Sequence, residues 1–429
     1  MHTAIKQTMA RASAISNLDA DDWLSLLFAA WLLLSVTLPD TLYRTFFHAL
    51  IYPLTLYLLF RKGRGHVCKD PFMRLFLVFC GYMATTTWLV GEGPVKDDLQ
   101  AVRWGAEAAL GMLAFFLWMG TVTGRERLWG RWLLWLALIG TGAGLLSHLP
   151  EALGSLRMEG LGVMGHPIQG ASIATVLLAT GLLLTFHGTG FIRRRDVLLA
   201  ALTVASVFTF VILSKSRGPV IALSGYLALL TLLLIYRYRR PETLWMALLA
   251  TAAVAGLVQW LFGFGELYDQ LVSRGSSYRL DIWTAYLTHP PESLFLGNGA
   301  GMDFALTDAS RQYLEPRGLT ISHPHNIWIG AFVDTGLIGV AFLAGLLLLP
   351  AMAVFRSPVT GSARLHLLAI LGLFFVLTFT DEYTLLISLH PVWYIGWIPL
   401  VFVWTRARHH QGKSVTAAPA TVQGGQQAP

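Results

Sequence analysis

The chain has 429 residues, of which 55% are hydrophobic and 13% charged, and its formal net charge is +7. The basic residues fall in short clusters between apolar runs, which is the pattern of membrane topology and argues against a nucleic-acid-binding surface. The two cysteines imply neither a disulfide framework nor a thiolate metal site.

Apolar runs of about twenty residues recur along the chain, and each is long enough to cross a hydrocarbon core. They predict an all-α polytopic membrane protein with about twelve transmembrane helices. The predicted segments are 23–39, 41–60, 71–90, 99–121, 132–148, 167–186, 197–213, 218–236, 243–262, 325–355, 365–383 and 391–404.

Most of the Lys and Arg residues lie in loops and tails on one side of this arrangement. The positive-inside rule therefore predicts that both termini are cytoplasmic. Residues 1–22 form a cytoplasmic N-terminal segment, and residues 23–262 form the first nine helices. A large outer loop covers 263–324, the last three helices cover 325–404, and 405–429 is a cytoplasmic tail of low complexity that we expect to be disordered.

The stretch "SKSRGP", residues 214–219, puts Lys215 and Arg217 at the outer boundary of a predicted helix. If this helix begins near Gly218, with Ser216 or Arg217 near its N-cap, its unpaired backbone N–H groups point outward and the two cations beside them complete an anion site. The alternative is that both side chains extend to lipid headgroups. Cations at an outer helix start oppose the positive-inside bias and the helix dipole, which favours the anion site.

The outer loop 263–324 has roughly sixty residues, a length that more often carries a site than remains structureless. Within it "YRLDIWTAYL" places Leu280, Trp283 and Leu287 on one helical face, which suits a helix at the membrane surface. The following "THPPESLFLGNGAG" breaks that helix through its Pro and Gly content. We therefore expect a partly helical cap over the outer ends of the spans.

The stretch "SHPHNIWIGAFVDTGLIG", residues 322–339, returns the chain to the membrane. His325 and Asn326 lie at the outer end of the predicted helix, while Gly336 and Gly339 allow close helix contact along it. A helix N-terminus and neighbouring cations both disfavour imidazolium, so His325 would stay neutral and able to accept a proton. The alternative is a histidine with a purely structural hydrogen bond.

These motifs resemble a known family. His325 and Asn326, a nine-residue spacer, Gly336, two residues and Gly339 are similar to the signature of bacterial O-antigen ligases. "SKSRGP" resembles their outer-face arginine motif, and "YRLDIW" with "LGNGAG" resembles the domain that O-antigen ligases share with polymerases. The resemblance implies a GT-C-like glycosyltransferase fold in the bacterial inner membrane, with the active site facing the periplasm.

For ligases, the resemblance implies that a glycan moves from undecaprenyl diphosphate to a lipid A-core hydroxyl, with inversion and without a metal or other cofactor. The partners would be undecaprenyl-diphosphate-linked O-antigen, lipid A-core oligosaccharide and membrane lipids, with no nucleic acid.

The chemistry of such a transfer needs a base for the acceptor and stabilisation of the departing diphosphate. Carboxylates are scattered through the outer loop without a DxD-type pair, so cations must replace a metal. We expect Arg217, assisted by Lys215 and Arg279, to bind the diphosphate, and His325 to accept the proton. Arg279 could instead pair with Asp281 or anchor the surface helix. The supporting residues are Ser216, Gly218, Asn326, Gly336 and Gly339, and the weaker candidates are Arg274, His323, His289 and His166.

Three other activities remain open at this point. A glycan polymerase and a protein O-oligosaccharyltransferase would use the same lipid-linked donor. A transporter or flippase would show internal repeats and charges at the midplane, whereas here the charges concentrate at the outer edge.

Overall fold

The computed structural model describes residues 18–62, 67, 69–90, 95–153, 156–187, 193–238, 278–300, 304, 307–319, 323–359, 361–380 and 389–416. These residues are predominantly helical and contain no β-strand. The predicted all-α, multi-pass class is thereby confirmed. The predicted segment 243–262 and the weaker candidate Arg274 lie outside the described residues.

The described helices follow the predicted segments closely. Eight of them are long and apolar enough to cross a membrane. The helices are α1 (Ala20–Thr37), α2 (Asp40–Phe46), α3 (Tyr52–Lys62), α4 (Pro71–Val90), α5 (Val95–Val122), α6 (Glu126–Leu153), α7 (Pro167–His187), α8 (Arg194–Leu213), α9 (Arg217–Tyr238), α10 (Arg279–Thr288), α11 (Ile327–Arg356), α12 (Gly361–Thr380) and α13 (Ile398–Thr416). Short π-helices, Phe47–Ile51 and Trp393–Trp397, lead into α3 and α13.

Helix α7 is the centre of the bundle. Its side chains are buried along nearly the whole length of the helix, as expected for a helix that is apolar on all sides. Helices α6, α8, α9 and α12 pack around it. Aromatic side chains fill the neighbouring space between α1 and α5, where the Phe28 and Trp118 rings stack at 4.8 Å.

Ion pairs tie the helices together at the end of the bundle that carries the predicted basic loops. Arg131 on α6 binds Asp196 on α8 at 2.7 Å, and Arg406 on α13 binds Glu126 at 2.7 Å. Helix α13 continues to Thr416, into the range 405–429 that was predicted to be a disordered tail. The Arg406–Glu126 pair lies on this part of the helix, and the sequence pattern alone does not reveal the partner of Arg406.

The predicted motifs lie at the other end, which we call the motif end: residues 156–166, 214–217, 278–300 and 323–326. The backbone N–H of Met158 donates to the carbonyl of Leu213 at 3.0 Å, where α8 ends. The Trp283 ring lies 5.2 Å from that of Phe379, where α12 ends. Both contacts place the motif residues at the C-terminal ends of α8 and α12, on the side of the bundle opposite to the basic loops.

The cap predicted for the outer loop is partly helical, as expected. One face of α10 joins a small apolar cluster with side chains of the outer loop and the start of α11. The members of this cluster are Ile282, Ala285, Tyr286, Phe304, Ala309, Leu314, Ile329 and Val333. Leu280 and Leu287 point away from it and are 62% and 65% exposed, which fits a helix whose other face contacts lipid.

Candidate functional site

The first element of the site is the tight turn between α8 and α9. Ser214 caps α8, and α9 begins at Arg217, one residue before the predicted start at Gly218. Lys215 between them has a φ of 51°, a left-handed conformation that costs energy for a residue with a side chain. The turn therefore needs support from its surroundings, and both Lys215 and Arg217 are half-buried at the helix start.

That support comes from Arg157, which the sequence analysis missed. Its Nε donates to the carbonyl oxygen of Ser214 at 2.9 Å, and its Nη2 donates to Oγ of Ser216. Arg157 thus bridges the two residues on either side of Lys215. A signal was present in the sequence, because Arg157 is another arginine in a short outer loop and opposes the positive-inside bias as Lys215 and Arg217 do.

The second element is the turn at residues 323–326. Oδ1 of Asn326 accepts hydrogen bonds from the backbone N–H groups of Trp328 and Ile329, at 2.9 and 3.2 Å, so this asparagine is the N-cap of α11. The helix consequently begins at Ile327, two residues later than predicted. His325 directly precedes the cap and has a φ of 50°, a further strained position at the motif end.

His325 is half-buried and its imidazole is held in the neutral form. Its pKa is lowered to about 4, and burial is the main cause. Three charged or titratable neighbours lower it in the same direction: His323, Arg279 and His166. The pKa is shifted in the direction that the sequence analysis expected, but burial is a larger cause than the nearby cations.

Helix α10 brings Arg279 to this histidine. Arg279 is the first residue of α10, and its charge acts on His325. The indole N–H of Trp283, one helical turn later, donates to the Pro324 carbonyl at 3.0 Å and fixes α10 to the turn. Two of the predicted site residues, Arg279 and His325, thus lie close together.

Gly336 of the signature has a different role from the predicted helix–helix contact. Gly336 has φ 62° and ψ −164° and breaks α11. The backbone of residues 294–299 enters this break: Asn298 N–H donates to Val333, Gly299 N–H to Asp334, and Leu337 N–H donates back to Leu294, at 2.8 to 3.0 Å. Backbone groups freed by the break therefore find partners in the loop, as membrane depth requires.

The close fit at the break explains why Gly336 carries no side chain. A Cβ there would collide with the backbone of Phe295, and one at Gly339 would collide with Thr335. The Tyr82 hydroxyl on α4 also donates to the carbonyls of Thr335 and Phe295, at 2.8 and 3.2 Å. Gly336 thus anchors the loop that leads back to α11.

The loop 156–166 contacts the first turn and acts electrostatically on the second. Arg157 near its start binds the turn at Ser216, and His166 at its end acts electrostatically on His325. His289, by contrast, lies against Tyr313, with ring centroids 5.9 Å apart. Within the described ranges, no group of three His, Cys, Asp or Glu side chains is arranged to hold a metal ion.

The motif end therefore offers a half-buried imidazole with a lowered pKa, on which a guanidinium acts electrostatically. It also offers a separate turn with two cations at the start of a helix. The imidazole can accept a proton, and the cations with the α9 N-terminus can bind an anion such as a phosphate. Together these groups suit the transfer of a group from a phosphate ester to a hydroxyl.

Two comparisons with known proteins bear on this site. The model of a family described as O-antigen ligase matches residues 201–344, a range that includes both turns, Arg279 and the break at Gly336. A protein of Pseudomonas aeruginosa named O-antigen ligase is 25% identical over 374 residues, which cover 84% of each chain. Both findings support the family resemblance that the motifs indicate.

Proposed function

We propose that this membrane protein of the O-antigen ligase family transfers an O-antigen glycan from undecaprenyl diphosphate to a hydroxyl of the lipid A-core. The observation that carries the proposal is the half-buried His325, whose pKa is lowered by burial and by charges that include Arg279, at the same end of the bundle as the turn with Lys215 and Arg217. The name of the Pseudomonas aeruginosa relative agrees with this reaction class.

In the proposed reaction, His325 takes the proton of the acceptor hydroxyl. The oxygen attacks the anomeric carbon, the bond from that carbon to the phosphate oxygen breaks, and undecaprenyl diphosphate leaves with the bonding electrons. Attack from the face opposite the leaving group inverts the anomeric centre. The neutral imidazole suits this role because a base must be unprotonated before the reaction.

The leaving diphosphate would be stabilised by Arg217, Lys215 and Arg279, together with the backbone N–H groups at the start of α9. Fixed cations of this kind do the work that a divalent metal does in other phosphate chemistry. The proposal therefore includes a transfer without a metal cofactor, and a chelator added to purified protein should leave the rate unchanged.

The proposed setting is the bacterial inner membrane, with a GT-C-like arrangement and the motif end facing the periplasm. The positive-inside rule supports this orientation, because the basic loops lie at the opposite end. Both termini would then be cytoplasmic.

Gel analysis of lipopolysaccharide from a deletion strain distinguishes the proposed activity from the alternative activities. Loss of a ligase leaves bare lipid A-core while long glycan stays on the carrier. Loss of a polymerase leaves a single repeat on the core, loss of a flippase removes outer glycan altogether, and loss of a protein O-oligosaccharyltransferase leaves the lipopolysaccharide intact. We expect the first pattern, restored by the wild-type chain; any of the others overturns the proposal.

A further inference from the structure

His323 is in direct contact with His325 in the turn before α11. Their ring centroids are 4.2 Å apart and the rings meet edge to face, at 66°. Pro324 between them is buried, and its carbonyl accepts the hydrogen bond from Trp283. The hydrogen bond from Trp283 therefore holds the turn in which the two rings are in contact.

Two imidazoles in contact at a half-buried site strongly disfavour the doubly protonated state, because the like charges repel each other where water screens poorly. Among the described residues, the groups that act on the titration of this pair are basic. Arg279 and His166 act on His325, and His166 also acts on His323. His390, near α13, is linked to the same group, since its own pKa is lowered to about 4 by burial first and then by Arg44, His323 and His166.

We propose that His323 and His325 form a pair that holds at most one proton, in which His323 is a positioning residue whose charge adds to the effect of burial in keeping His325 unprotonated. The inference rests on the proposed function, in which His325 accepts the proton of the acceptor hydroxyl. Proton transfer then leaves the pair with a single positive charge, which is lost to water before the next turnover.

The test is the pH dependence of kcat/KM for glycan transfer by the purified full-length protein, since this ratio reports ionisation of the free enzyme. Three variants are compared with wild type: His323→Gln, His323→Arg and, as the matched control, His289→Gln. The acid limb is the pH range in which kcat/KM falls because the base becomes protonated. Its midpoint on the pH axis does not depend on the fraction of each variant that folds.

His323→Gln removes a like charge, which raises the pKa of His325, so the acid limb moves to higher pH by about half a unit or more. His323→Arg keeps a positive charge in place, so its acid limb stays at the wild-type pH or moves lower. His289→Gln leaves the limb unchanged, because that ring lies against Tyr313.

The inference is overturned if the acid limb of His323→Gln coincides with that of wild type, or if the Gln and Arg variants move it in the same direction, as a purely structural role would. A wild-type protein that transfers no glycan instead overturns the proposed function. The two failures are therefore distinguishable within one experiment.

Discussion

The indole nitrogen of Trp283 lies 3.0 Å from the carbonyl oxygen of Pro324, to which it donates a hydrogen bond. This bond joins α10, which begins with Arg279, to the turn that carries His325. The same indole ring packs 5.2 Å from Phe379 at the end of α12. One side chain thus connects the outer loop, the proposed base and the membrane bundle.

Replacing Trp283 with Phe should loosen this connection while keeping most of the apolar contact. The Pro324 carbonyl loses its donor, so we expect the free energy of unfolding to fall by about 1 kcal/mol. Because Arg279 and His325 are then held less firmly, kcat/KM for transfer should fall by roughly tenfold.

Trp328 provides the matched control, because its buried indole nitrogen makes no hydrogen bond within the described part of the chain. Trp328→Phe should therefore cost less stability and less activity than Trp283→Phe. Equal effects of the two substitutions would show that the hydrogen bond to Pro324 contributes neither to stability nor to activity.

Gly336→Ala should disrupt the junction between α11 and the loop 294–299. The glycine has a positive φ and a Cβ there would collide with the Phe295 backbone, so we expect a loss of about 2 kcal/mol or more in the free energy of unfolding. Thermal unfolding of the detergent-solubilised protein measures this loss.

Gly372 on α12 is the control for that substitution, because a Cβ there meets nothing within 4 Å. Alanine is the better helix former, so Gly372→Ala should be neutral or slightly stabilising. If both variants unfold at the same temperature, the break at Gly336 is not a structural requirement.

Arg157→Ala should weaken binding of the lipid-linked donor. Without the bridge between Ser214 and Ser216, the strained turn at Lys215 loses its support, and Lys215 and Arg217 are no longer held in place. We expect KM for the donor to rise by about tenfold, since hydrogen bonds from a charged group contribute about 1.5 kcal/mol or more.

Arg157→Lys should restore little of this loss, because an ammonium group cannot donate in the planar fork that spans both partners. Arg311→Ala is the control, as Arg311 is an exposed arginine of the outer loop. A full rescue by lysine would mean that charge alone, and not the hydrogen-bonding geometry, explains the effect.

The activity of the wild-type protein should persist well below neutral pH. The pKa of His325 is lowered to about 4, mainly by burial, so the base is unprotonated at pH 6 and loses its function only as the pH falls through about 4. The neutral folded-state histidine also contributes stability above its ordinary pKa of about 6.5, and this contribution is lost as the pH falls towards 4. A pH–rate profile with an acid limb near 6.5 would contradict the lowered pKa of His325.

Composition and periodicity predict most of the fold, because a membrane span must be a long apolar helix whatever its neighbours are. They also predict Lys215 and Arg217 as candidates, since cations at an outer helix end conflict with the topology rule. His325 and Arg279 are predicted from their motifs and from the transfer chemistry that the family resemblance implies. Spacing alone does not reveal the role of Gly336, which depends on a loop about forty residues earlier in the chain. The bridge from Arg157 and the burial of His325 depend on tertiary contacts as well.

Transfer by the purified protein tests the central claim most directly: His325 and Arg217 belong to one site that moves a glycan off a lipid diphosphate. Wild type, His325→Ala, Arg217→Ala and the control Arg311→Ala would be given undecaprenyl-diphosphate-linked glycan and lipid A-core. The account predicts glycosylated lipid A-core with wild type and the control, and a loss of about 100-fold or more with each of the other variants. Product formed by His325→Ala or Arg217→Ala at the wild-type rate would contradict it.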